Sequence, residues 1–444
     1  MRHHAFALSI LLILLLAACR PIAGDRPPRL VLVPPTPTLR PPTSTITTTL
    51  TLPLPTPQPQ RSPTPNPAAL ATQAAESAAW LANAALGPYA PTGEPWEEVE
   101  RRARAEGYVT LYADSARAVA AVESFMRAYP GLEAEAQASG SYDTYLRLAE
   151  DLQTNKRVAD LYLVSDAPRT LALLDQAQLW SYLPPDLAPV LPQGMREPLL
   201  VHHWTALMLI CSPVLSQTRP IESWWDLTLP QWRGRVALPD PINDERTLYL
   251  LVTLTQQSEE LANAYRARFG RELVLDADCP NAGYQWIKDL LTNQPLLLPG
   301  DADVASKVGD PQSGEAWIGL CSLEQFAKVS LGKLAFTPLI SVTPTAGLKW
   351  PTYLGVPDRC PHPQAAKLLA LWLMGDAAGK GGYTPWYEPG LYPARTDVPD
   401  PPGAVPRQEL EPRLWALDYT YINTHLQAVR DHVAAHIGRP VGGR

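Results

Sequence analysis

The sequence predicts an α/β protein of two lobes, each a mainly parallel sheet flanked by helices, preceded by a disordered Pro/Thr-rich linker. Three observations predict it. The chain has 444 residues, more than one hydrophobic core usually serves. Its 49 prolines are about twice the usual share and are unevenly spread. Downstream, short apolar runs alternate with helical periodicity, the pattern of parallel strands joined by crossover helices. A net charge of −7 offers no basic face, which argues against nucleic acid as a partner.

Residues 1–19 read MRHHAFALSILLILLLAAC. Arg2 gives a positive start, and Ala5 to Leu16 is apolar but too short to span a bilayer comfortably. The closing Leu16-Ala17-Ala18-Cys19 resembles the lipobox of bacterial lipoproteins. That resemblance implies a signal peptide cut just before Cys19, lipid attached to its thiol, and a chain anchored to the membrane outside the cytoplasm. Residues 20–67 are dominated by Pro and Thr and cannot bury enough apolar surface to order. As polyproline II they would reach on the order of 100 Å. Residues 68–95 hold an Ala-rich helical lead-in, and the globular part is expected from near Trp96.

Tyr108 to Tyr112 reads as a buried strand, and Asp114-Ser115 can cap a helix carrying Val119, Val122 and Met126 inward. Leu132 to Ala138 alternates with period two. Gly140-Ser141 then opens a helix with Tyr145, Leu148 and Leu152 on one face. Asp160 to Val164 is a third strand, and Pro168 opens a third helix. In an open parallel sheet, ligands bind beyond the carboxyl ends of the strands. Asp114, Ser115, Arg117, Ser139, Gly140, Ser141 and Asp166 would all lie on that edge. Asp and Ser are also common helix caps, so both readings stand for each.

A second unit follows the apolar strand Thr205 to Cys211. Strands are expected at Val236–Asp240 and Ala316–Cys321, and a helix opens at Pro363. Residues 96–204 are assigned to the first part of lobe 1, 205–335 to lobe 2, and 336–444 to the return to lobe 1 and the C-terminal helices.

The order of segments is specific. Ala105 to Tyr112, Phe125 to Gly131, Ala159 to Leu163, Trp225-Asp226-Leu227 with Gln231 to Asp240, Pro361 to Leu368 and Leu391 to Arg395 together resemble the bacterial extracellular solute-binding proteins of ABC importers. The nearest subgroup is the one that contains ferric-iron binders. The resemblance covers roughly residues 96–435 and implies a periplasmic-binding-protein-like (type II) clamp closing on a small molecule or ion. It further implies delivery to an ABC transporter permease, and neither catalysis nor a cofactor. The two adjacent tyrosines with which the iron binders hold metal fall at Glu324-Gln325 here. Their early histidine falls near Ala116-Arg117, and their carboxylate is kept at Asp166. Ferric iron needs anionic oxygen ligands, so losing both phenolates argues against iron at that site. Glu324, Asp166, Asp114 and Asp240, with Asn243 beside them, would suit an organic cation such as a polyamine, or a hydrated metal. Arg117 favours instead an anionic group at a helix N-terminus.

Other groupings carry less. His425, His432 and His436 roughly share a helix face without a completing ligand. His202 and His203 should face opposite sides of a strand. Asp301-Ala302-Asp303 reads as a turn, and Trp224-Trp225 as packing. The four cysteines after Cys19 allow three complete pairings. Cys211 and Cys321 both end strands of the second lobe and are the favoured bridge. A few enzymes, one of them thiamine-cleaving, use the same clamp with a cysteine nucleophile. An exported enzyme or a ligand-sensing module therefore stands as the alternative.

Overall fold

The structure is a computed structural model and describes residues 67–91, 93–217 and 221–438. The signal peptide, the lipid-attachment Cys19 and almost all of the linker lie outside the described residues. The main elements of lobe 1 are α1 (Pro67–Ala84), α2 (Trp96–Glu106), β1 (Tyr108–Ala113), α3 (Arg117–Ala128), β2 (Glu133–Ala138), α4 (Ser141–Gln153), β3 (Leu161–Val164) and α5 (Ala167–Asp175). The long strand β4 (Leu200–Cys211) leads into lobe 2. There follow β5 (Val236–Pro239), α6 (Glu245–Gln256), α7 (Ser258–Phe269), α8 (Ala282–Thr292), β6 (Leu296–Leu298), α9 (Asp301–Val308) and β7 (Ile318–Ser322). A second long strand, β8 (Gly347–Pro357), returns to lobe 1, followed by α10 (Pro363–Leu373) and α11 (Tyr419–His436).

The strand order is β2-β1-β3-β8-β4-β7-β5-β6. At one end β2, β1 and β3 are mutually parallel, and at the other β7, β5 and β6 are too. Between these triplets β8 and β4 run antiparallel. Each long strand serves both lobes. Leu200, Val201 and Trp204 pack in the lobe 1 core, whereas Leu207, Leu209 and Cys211 pack in lobe 2. On β8 the change falls between Trp350 and Tyr353. The two lobes thus hang on one antiparallel pair, and β4 starts at Leu200, five residues before the expected strand.

Local sequence explains the helices. Ala118, Ala121, Val122 and Phe125 of α3 are buried, a stripe at i, i+3, i+4 and i+7. Val119 is exposed, so the helix sits rotated from the expected face. Its N-cap is Ala116, with no side-chain cap, because Asp114 is held elsewhere. In lobe 2 the Ser223–Asp226 capping box turns Trp224 and Trp225 into the core. Their indole N–H groups donate to the Thr345 and Leu261 carbonyls, each at 2.8 Å. Burying rings of this size is worth about 3–5 kcal/mol against alanine.

Four expectations need correction. The globular part begins well before Trp96: Leu81, Ala84 and Leu86 lie in the lobe 1 core. Trp80 Nε1 donates to the Cys360 carbonyl at 3.0 Å, and Ser77 to Asp358 at 2.5 Å. The C-terminal helix does not return to lobe 1, since Ile422, Val429 and Val433 of α11 belong to the lobe 2 core. Asp301 starts α9 rather than a turn. Finally, Cys211 and Cys321 form no bridge, and all four described cysteines are free and buried. Cys321 sits opposite Met208, three residues from Cys211. An odd offset puts the two thiols on opposite faces of the sheet, one packing with Leu209 and the other with Val304. Burial raises every one of these thiols, Cys211 to about 11 and Cys279 to about 12. No described helix is long and apolar enough to cross a membrane.

Alkylation of the native protein should therefore leave Cys211, Cys279, Cys321 and Cys360 unmodified over minutes. Alkylation in denaturant without reductant should label all four, read by peptide mass. A disulfide-linked peptide pair would contradict the arrangement.

Candidate ligand-binding site

The carboxyl ends of β1, β3 and β5 point toward the crossing of β4 and β8, where a cleft of about 690 Å3 lies between the lobes. Lobe 1 contributes the starts of α3 and α4 and the cap of α5, and lobe 2 the start of α6. Of the residues singled out from sequence, Asp114, Ser115, Arg117, Ser141, Asp166, Asn243 and Glu324 line the cleft. Ser139, Gly140 and Asp240 do not. Ser139 pairs with Thr144 at 2.8 Å, and Gly140 is the N-cap of α4. Asp240 takes the Ile242 N–H at 3.0 Å and the Asn243 amide at 2.7 Å. These three shape turns behind the wall.

Asp114 is fixed by one oxygen. Its Oδ2 accepts from the Ser141 hydroxyl at 2.8 Å, the Ser165 N–H at 2.7 Å and the Ser165 hydroxyl at 2.6 Å. The carboxylate therefore ties together the ends of β1 and β3 and the start of α4. Ser115 accepts from the Arg117 N–H at 3.3 Å, and the Arg117 guanidinium contacts Glu388.

Arg169 joins the lobes. From α5 its two terminal nitrogens donate to the Glu245 carboxylate of α6 at 2.6 and 2.7 Å, while Nη1 also reaches Asp166 at 2.6 Å. The guanidinium lies 4.6 Å from the Tyr142 ring centroid. This fork holds the Glu245 carboxyl below its usual range. Asp166 is raised by burial, with Arg169 opposing. A carboxylate so engaged, also capping α5 through the Arg169 N–H, is not free to ligate a metal. Among the described residues no three His, Cys, Asp or Glu side chains are placed to hold one.

On the lobe 2 side Arg246 pairs with Asp301 at 2.8 Å. Glu324 follows β7, and a close approach sets its place. Gly390 has φ +98, and an added Cβ would meet the Leu323 carbonyl at 1.9 Å, so only glycine lets the turn bearing Glu388 lie there. Burial raises the Glu324 carboxyl, with Arg246 and Arg117 opposing.

Several wall residues carried no local signal. His203, Trp350 and Thr352 come from the crossing strands and Trp386 from the turn after α10. Glu245 and Arg246 could have been found by the rule that found Asp114, since they open a helix just after a strand. His202 and His203 do not face apart. A register shift at Thr352/Tyr353 bulges β4 at His202, and the two Nδ1 atoms meet at 2.7 Å. His202 Nε2 lies 2.9 Å from the Leu373 carbonyl and must carry a proton to bond it. Its Nδ1 then accepts from His203 Nδ1–H, which leaves His203 Nε2 to accept from the Thr352 hydroxyl at 3.3 Å. Burial keeps both rings neutral, His202 lowered to about 4 and His203 well below its ordinary value. In the C-terminal helix His432 and His436 are taken up by the Tyr284 carbonyl and by Asp278. The face is structural.

Two expected outcomes follow from these charges. Arg169→Ala leaves Asp166 and Glu245 facing each other unneutralised, so it should cost about 1–3 kcal/mol and raise the radius of gyration in small-angle scattering. Glu324, raised in the folded state, opposes folding as pH climbs from its ordinary 4.5 through the folded value. Glu324→Gln should therefore melt higher than the parent at pH 7, and the gap should close below about pH 4.

A family model described as bacterial extracellular solute-binding protein matches residues 109–380, more than half of the chain. No curated protein matches the sequence. Solved structures share the fold at low identity. Iron-bound HitA from Pseudomonas aeruginosa is 16% identical with TM-score 0.56, the match covering 73% of this chain and 99% of that one. The periplasmic binding protein AfuA from Actinobacillus pleuropneumoniae, with fructose-6-phosphate bound, is 14% identical with TM-score 0.55 over 74% and 98%. A substrate binding protein of the ABC transporter from Agrobacterium tumefaciens is 12% identical with TM-score 0.52 over 73% and 94%. With the two-lobed architecture and its interlobe cleft already in place, the family match completes the assignment: the chain belongs to the bacterial extracellular solute-binding proteins.

Proposed function

We propose that the protein is an extracytoplasmic receptor that closes its lobes on a small solute and delivers it to an ABC import permease. Lipid on Cys19 and the 20–67 linker would hold it to the membrane while leaving it free to reach that partner. The observation that carries the reading is the cleft itself, walled by both lobes and by the pair of strands on which they hang. A solute touching both walls binds the closed form better than the open one and so shifts the population toward closure. Iron-bound HitA and AfuA with fructose-6-phosphate show this fold around unlike cargoes, so fold alone leaves the solute open. A thiol nucleophile finds no support, because none of the four described cysteines lines the cleft.

Native mass spectrometry of freshly purified protein should show a co-purified small molecule, released unchanged on denaturation. Adding it back should lower the radius of gyration and raise the melting temperature. A product of different mass would replace the receptor reading with an enzyme. Cys19→Ser should move the protein from the membrane fraction to the soluble one, and retention in the membrane would overturn the anchor.

A further inference from the structure

The cleft holds more acid than base. Asp114, Asp166, Asp244, Glu245 and Glu324 line it, against Arg117, Arg246 and Arg430. Directly bonded behind them stand Arg169 on one side and Glu388 and Asp301 on the other. Seven carboxylates therefore meet four guanidinium groups, a formal excess of three negative charges, and the neighbouring His203 stays neutral.

Most of the bases are committed. Arg169 bonds Asp166 and Glu245, Arg117 bonds Glu388, Arg246 forms an ion pair with Asp301, and Arg430 donates one nitrogen to the Ile242 carbonyl at 3.0 Å. Acidic atoms are left over. Among the described residues Asp114 uses only Oδ2, and Asp244 only Oδ1, on the Thr247 N–H. Among the described residues the Glu324 carboxylate accepts no hydrogen bond, and its desolvation is opposed only by charges at a distance. Asp114 stands on lobe 1, Asp244 on lobe 2 and Glu324 beside Leu323 where the two meet, so drawing the lobes closer brings unpaired carboxylates together. Aromatic rings occupy the same wall at Tyr142, Trp350 and Trp386. Trp350 is 3% exposed, and among the described residues its indole N–H has no acceptor.

We propose that the cleft takes a small organic amine. Its ammonium group sits between Asp114 and the pair Glu324 and Asp244, its carbon frame lies against the aromatic wall, and an oxygen accepts the Trp350 N–H. This rests on the receptor reading and names its solute class. A cation bound there neutralises carboxylates of both lobes at once, which favours the closed form over the open one. A bare metal ion would leave most of the 690 Å3 unfilled. An anion would face an excess of carboxylates, with three of the four guanidinium groups already paired to acids.

The test is calorimetry, thermal shift and small-angle scattering on the purified full-length chain. Ethanolamine, glucosamine and spermidine serve as amine probes, with glucose, fructose 6-phosphate and ferric citrate as comparators. At least one amine should raise the melting temperature and contract the protein, glucosamine should outbind glucose, and high salt should weaken the effect. Asp114→Asn and Glu324→Gln should each weaken the active amine at least tenfold. Glu324→Gln should do so while melting no lower than the parent at pH 7, which separates lost binding from lost folding. If all three amines leave the melting temperature unchanged, the solute class is overturned. Contraction by fructose 6-phosphate or ferric citrate would then keep the receptor reading, and no contraction with any probe would overturn both.

Discussion

The antiparallel pairing of β4 with β8 is the constraint on which everything else depends. Its backbone hydrogen bonds run from one core into the other. Each strand changes core partway along, and the residues around the change, His203 on one strand and Trp350 and Thr352 on the other, become the floor of the cleft. The site is thus a by-product of how the lobes are joined, and not an excavation in either.

Around that floor the electrostatics follow a single pattern. Three of the four arginines are balanced by a carboxylate supplied from a different segment: Arg169 in α5 by Glu245 in α6, Arg246 in α6 by Asp301 in α9, Arg117 in α3 by Glu388 in the turn after α10, while Arg430 donates to the Ile242 carbonyl. Pairing of this kind fixes geometry more than it adds net stability, since desolvation offsets much of the attraction. The carboxylates left over border the cavity. Asp114 illustrates the economy, because one oxygen builds the wall and the other is left for a guest.

Much of the plan was legible in sequence, and the reasons are local ones. Alternating strands and helices, with polar residues at the strand ends, marked Asp114, Ser141 and Asp166 because the crossover geometry leaves few other places for a ligand edge. What was illegible depended on long-range packing. Nothing within α11 says that Ile422 and Val429 will settle on lobe 2, since an amphipathic helix fits any apolar groove. The register of Cys321 against Met208 decided against a bridge, and register is a property of two strands together. The bulge at His202 arises from the same source. The helix α1 looked like a lead-in because alanine is weakly apolar. Trp80 and Leu81 nevertheless make it part of the lobe 1 body.

The histidine couple on β4 has a consequence for acid tolerance. Its tautomers are locked in a relay from the Thr352 hydroxyl to the Leu373 carbonyl, with room for one proton between two nitrogens 2.7 Å apart. A second proton would set two donors head to head inside a dry pivot. The histidine couple therefore carries no charge through mildly acidic surroundings. Mild acidification leaves the hydrogen bonds of this pair, at the crossing of β4 and β8, as they are.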